Sequence, residues 1–197
     1  MADAFNPNLF LNRDRPASPF IGSSEDIKHY IKEAFEKTTG KSLPDDAVVR
    51  VVSHHELREL HEEFGGQWNP GVQGFAINKK GFGQSLIICK ENDLDRLLVT
   101  IGHEIGHILN FPLSDKLNEE AKAFAFEMEW LKNIQEHNIA GLRGSVNPDP
   151  SPARNGLHDV AFNFVKKQIK DGKECFEIMD DLMKNKVNVR GKDNVLW

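Results

Sequence analysis

Cysteine is scarce: Cys89 and Cys175 are the only two in 197 residues, and they do not form a C-x-x-C pair. That excludes a disulfide scaffold and a dithiol redox motif, so both read as ordinary reduced thiols. Cys89, inside the apolar run SLIIC, reads as a small buried hydrophobe. Long hydrophobic runs are missing too, since nowhere do about 18 consecutive apolar residues occur, the length needed to span a bilayer. The opening stretch MADAFNPNLFLNRDRP has neither a basic n-region nor a continuous apolar h-region. The expectation is a cytoplasmic protein without a membrane partner. Positive charge is also short, with 25 Lys and Arg against 30 Asp and Glu and a net charge of −5. With no basic stripe to track phosphates, a nucleic-acid partner is not expected.

At 39% hydrophobic and 28% charged residues, the chain has enough apolar material for one core and too little length for two full domains. Pro7, Pro16 and Pro19, set among asparagines and charges, suggest that residues 1–22 are a flexible arm without regular structure of its own. Residues 23–140 read as the main domain. The stretch GLRGSVNPDPSPARNG over 141–156 reads as a flexible connection, and 157–197 as a helical C-terminal segment and tail packed on the same domain.

Helical periodicity runs from Glu25 to about Thr39, with Gly40 as the stop. The β-branched run Val48 to Val52 predicts a strand, and Ser53 caps a helix through about Phe64. Two strands around 74–78 and 85–89 flank the turn-like KKGFGQ and predict a hairpin. Asn92 or Asp93 caps the next helix, which Phe111-Pro112 interrupts, and Ser114 or Asp115 caps another reaching roughly His137. Helical patterns resume at Leu157 to Ile169 and Cys175 to Met183.

The chemistry-bearing motif is His103-Glu104-Ile105-Gly106-His107. Two histidines four positions apart share one helix face, which is the spacing a catalytic zinc ion needs for two of its three protein ligands. Glu104 projects from the same side, where it can take a proton from a water activated by the metal. Leu97, Leu98, Ile101, Ile105, Ile108 and Leu109 form an opposing apolar face. Gly102 and Gly106 each cost about 0.8–1 kcal/mol relative to alanine within a helix, so something is expected to approach the helix closely there.

The third ligand separates the zinc families. A metzincin continuation requires glycine at 110 and histidine at 113, where this chain has Asn110 and Leu113. In the following helix Glu120 and Glu127 share a broad face with Leu117, Phe124 and Leu131, and a carboxylate amid apolar neighbours wants a charge partner. Glu119 turns toward the edge holding Lys122 and Asn133, which makes Glu120 the better ligand. Glu127, two turns on, either orients a histidine ligand through its free ring nitrogen or is a carboxylate at a helix edge.

GHEIGHIL followed by NEEAKAFAFE resembles the gluzincin metallopeptidases, in particular the ImmA/IrrE-type family and the minigluzincins, over roughly residues 47 to 131. The resemblance implies a zincin-like fold, with zinc held by His103, His107 and Glu120 and Glu104 as general base. It also implies a strand, 73–79 or 85–89, along which an extended peptide binds. The chain departs from the ImmA/IrrE pattern at Met128-Glu129-Trp130, and its C-terminal third carries no resemblance.

Many gluzincins use a Tyr or His to stabilise the oxyanion; Tyr30 lies in the first helix and reads as packing, whereas His158 could reach over the zinc or be a surface helix residue. His54, His55 and His61 read as a solvated helix face. Residues 186–197 could block the cleft, as terminal segments do in some minigluzincins. The expectation is therefore an α+β domain with a small, mainly antiparallel sheet packed on an active-site helix and a glutamate helix, followed by a helical addition. It would be a zinc-dependent peptidase acting on a peptide or protein. The rival reading is a regulatory zinc-binding protein that cleaves nothing, or one target only, and acts through a protein partner.

Overall fold

A computed structural model describes residues 5–150 and 156–191. After a 3-10 turn at Pro7–Phe10, a short strand β1 (Phe20–Ile21) leads into helix α1 (Ser24–Thr39). Gly40 ends that helix in the left-handed region at φ 69°, donating its N–H to Glu36 O. Strand β2 (Ala47–Val52) and helix α2 (His54–Glu63) follow, with the Ser53 side chain capping α2 by accepting from Glu56 N. Strands β3 (Gly74–Ile77), β4 (Ser85–Lys90) and β5 (Asn92–Asp93) precede helix α3 (Leu94–Ile108). Asp115 caps helix α4 (Lys116–His137) by accepting from Asn118 N. A 3-10 stretch, Ile139–Gly144, then helices α5 (Leu157–Lys170) and α6 (Cys175–Met183) complete the described elements.

The 74–78 and 85–89 segments pair antiparallel as the expected hairpin, but the sheet is not mainly antiparallel. Its order is β2-β4-β3, and β2 pairs with β4 in parallel over six positions against four between β3 and β4. The reason is the crossover: α2 and β3 intervene, so β2 and β4 run the same way with β4 buried between two neighbours. The continuous apolar run Ile87-Ile88-Cys89 is the signature of such a central strand, and all three are fully buried. A separate two-stranded pair, β1 with β5, ties the N-terminal segment to the start of α3.

Helix α3 packs on β3 and β4 on one side and along α4 on the other. The two glycines explain how it comes so close. A Cβ at Gly102 would lie 2.5 Å from Trp130 Cδ1, and one at Gly106 would lie 2.6 Å from the Ala123 backbone. Trp130 is fully buried and donates its indole N–H to Leu98 O at 3.0 Å, so it is wedged between the helices with its polar atom satisfied. Helix α4 is enclosed on nearly all sides, because α1, α5 and α6 cover what α3 does not. Phe35 and Phe176 meet Phe126 on the far side, which leaves no exposed stripe for sequence periodicity to detect.

Two segments expected to be loose are fastened down. In the arm, Phe5, Phe10, Leu11 and Ile21 are buried, and Arg15 pairs with the buried Asp95 of α3. In the connection, Leu142, Ser145 and Val146 are buried, and Leu11 and Val146 form an isolated antiparallel bridge. Asn12 N donates to Ser145 O and Asn147 N to Phe10 O, both at 2.8 Å. The two polar, proline-bearing segments satisfy each other's backbone groups, which neither composition reveals alone. Residues 151–155 of the expected connection lie outside the described residues. No helix among the described residues is long and apolar enough to cross a membrane.

Because the atom facing Gly106 is backbone, it cannot rotate away as the Trp130 ring can. Gly106→Ala should therefore destabilise the protein by at least about 1–3 kcal/mol through overpacking, and by more than Gly102→Ala. Equilibrium urea unfolding of the two variants measures the difference.

Candidate metal centre

The histidines of α3 and the glutamates at the start of α4 converge where the two helices meet. His103, His107 and Glu120 each offer a ligand atom, all within 4.8 Å of one another, a group that can hold a metal ion. His103 Nε2 lies 3.3 Å and His107 Nε2 3.9 Å from Glu120 Oε2. His158, from the start of α5, brings its Nε2 to 3.2 Å from the same oxygen. Glu120 Oε2 is thus a buried oxygen ringed by three imidazole nitrogens. A buried carboxylate needs positive charge beside it, which protonated imidazoles or a cation among the three side chains would supply. By this test the donor set, two imidazoles and a carboxylate, fits a divalent metal such as zinc.

Behind each histidine stands a carboxylate. Glu127 Oε2 is 3.1 Å from His103 Nδ1, and Glu119 Oε1 is 3.0 Å from His107 Nδ1. An ionised carboxylate only accepts, so in each neutral ring the proton sits on Nδ1 and the Nε2 lone pair faces Glu120. Helix-face reasoning turned Glu119 toward Lys122 and missed its contact with His107. It does turn toward Lys122, whose Nζ lies 2.9 Å from Glu119 Oε1, yet the same oxygen also reaches a ligand. The kinked corner between α3 and α4 brings this about, and no periodicity within α4 predicts it.

The two rings are held differently. His103 is enclosed, with Phe5 stacked on it at 4.2 Å between centroids and Phe124 at 4.7 Å. The Phe5 contact had no signal in the sequence, because it comes from the opening segment. His107 is more open, and Asn78 fixes its backbone by donating to His107 O and Asn110 O at 2.6 Å each.

Burial would push the His103 imidazole down, but hydrogen bonds and charge from Glu120 and Glu127 outweigh it and hold the group up at about 10. Burial raises Glu127 to about 7 despite the opposing His103, and raises Glu104 despite the nearby histidines. Burial would raise Glu120 as well, but the surrounding histidines hold it well below the usual carboxylate range. Glu104 lines the same cleft as the ligands, a space of about 570 Å³ bounded by Phe5, Phe75, Ala76 and His158. The sheet order makes β3 the edge strand on this cleft, with β4 interior.

The other singled-out residues sort as follows. Tyr30 lies against His29 in α1, and His55 pairs with Glu59 on an exposed surface of α2. His61, by contrast, reaches the cleft wall and meets Phe75 edge-on at 5.1 Å. Among the described residues no second metal-binding group occurs. Both cysteines are buried and free, and burial raises both thiols, Cys175 to about 12. Of the tail expected to cover the cleft, residues 192–197 lie outside the described residues. Val189 N donates to Asn118 and Arg190 pairs with Asp115 beside the start of α4, and neither residue lines the cleft.

A His103 group held near 10 is protonated in the metal-free protein at neutral pH, and a metal ligand must be neutral. Metal uptake should therefore release about one proton per chain at pH 7 and tighten as pH rises. Calorimetric titration with zinc in buffers of different ionisation enthalpy counts that proton; no buffer dependence would contradict it.

No family model matches the chain, and neither do any curated protein or any solved structure.

Proposed function

We propose that this protein is a zinc-dependent peptidase, with His103, His107 and Glu120 as metal ligands and Glu104 as general base. The observation that carries the reading is the convergence of His103 Nε2 and His107 Nε2 on a buried oxygen of Glu120, at 3.3 and 3.9 Å. Bound there, zinc would polarise a substrate carbonyl and lower the pKa of water from 15.7 to about 7.

The remaining work falls to side chains. Glu104 lines the cleft next to both histidines, and its raised pKa, caused by burial, suits a group that takes a proton from water and returns it to the leaving amine. His158, buried and 3.2 Å from Glu120, is in reach of the same space and is the candidate to donate to the developing oxyanion. Strand β3 borders the cleft with one edge free of β-partners among the described residues, which supports binding of an extended peptide by strand addition. Phe5, Phe75 and Leu157 give that cleft an apolar lining.

Wild type should purify with about one zinc per chain by elemental analysis, and His103→Ala and Glu120→Ala should lose most of it. Glu104→Gln should keep the zinc while cleavage of a peptide library falls about 10²–10⁴-fold. Zinc-free wild type would refute the reading. Metal retained with no cleavage in wild type would favour a regulatory zinc protein.

A further inference from the structure

We propose that Lys122 and Glu119 form a positioning relay that orients His107 and so sets the affinity of the site for its metal, an inference that rests on the metal reading above. Lys122 is completely enclosed, and its ammonium has three oxygens around it. Glu119 Oε1 is at 2.9 Å, His107 O at 3.3 Å and Phe111 O at 3.4 Å. Glu119 is gripped from three directions in turn: by Lys122 from α4, by Leu113 N from the corner at 2.8 Å, and by the His107 ring from α3. The second histidine is thus held at both ends, its ring by Glu119 and its carbonyl by Lys122.

The contrast with His103 makes the relay necessary. The His103 side chain is 2% exposed and flanked by Phe5 and Phe124, so packing alone restricts its ring. The His107 side chain is 18% exposed, and among the described residues its ring has no aromatic contact besides the edge of His103. Among the described residues, Glu119 is the group that hydrogen-bonds to its ring, so Glu119 sets its orientation. A carboxylate at the mouth of an open cleft would itself swing, and the enclosed ammonium pins it. Burying an ammonium is unfavourable unless its donors are satisfied, and an apolar side chain would fill the corner as well. Its presence behind a ligand points to a task beyond packing. Lys122 acts through Glu119 and is a positioning residue, with no contact to the reacting atoms.

The test uses the 197-residue chain with zinc and cobalt(II) as probes. Lys122→Met and Glu119→Gln should each lower zinc affinity about 10–100-fold in chelator competition. Each should also shift the visible absorption bands of the cobalt-substituted protein, which report on ligand geometry. Because both act through one chain of contacts, the double variant should lose little more than the worse single variant. The unfolding temperature of each metal-free variant is measured in parallel. A lowered unfolding temperature with unchanged zinc affinity and cobalt bands would reduce the pair to packing and overturn the proposal, and fully additive losses would overturn the relay. Glu119→Gln preserves size and shape, so it carries the test if Lys122→Met does not fold. If wild type binds zinc and the variants bind it equally well, only this inference falls; if wild type binds none, the metal reading falls with it.

Discussion

The whole arrangement depends on how near α3 and α4 come to each other. Two glycines one turn apart open a groove along α3, and the Ala123 backbone and the Trp130 ring occupy it. Only at that separation can Glu120 stand within 3.3 Å of one histidine and 3.9 Å of the other. The helix-propensity cost of glycine, about 0.8–1 kcal/mol each, is incurred at the positions that set this spacing. A wider groove would leave the same residues on the same faces and dissolve the site.

Around that contact the fold assigns a separate support to each histidine. Aromatic rings and Glu127 hold His103, while Glu119, Lys122 and Asn78 hold His107 where the cleft opens. The carboxylates behind the rings engage Nδ1 of each, which leaves both Nε2 atoms facing Glu120. Placing several acidic groups in so small a volume is itself unfavourable. The structure offsets this with protons: His103 is held in its charged form and Glu127 is raised toward neutrality. The proposed zinc ion would take over the role those protons play.

Much of this was legible in the sequence because it is local. The helix caps at Ser53 and Asp115, the hairpin at 74–90 and the histidine pair are patterns within a few residues, and local physics decides them. The glycine pair predicted a close approach but could not name Trp130 and Ala123. What stayed hidden is set by chain-distant geometry. The parallel pairing of β2 with β4, the Glu119 contact and the burial of the two proline-bearing segments all depend on where the chain returns to itself. Glu119 is the instructive case, since its helix face was read correctly and its partner was not. A corner of a few residues between two helices decides which groups on the first meet which on the second.

The opening segment carries a consequence for how the protein is made. Phe5 and Phe10 stack on each other and then find their remaining partners in His103, Phe124 and Phe162. Both rings are synthesised before α3, α4 and α5, the helices that carry those partners. Until α5 is released they lack part of their cover, and transiently exposed apolar surface is prone to aggregate. A chain cut short before α5 would leave Phe10 without Phe162 and His103 without the neighbouring His158 ring.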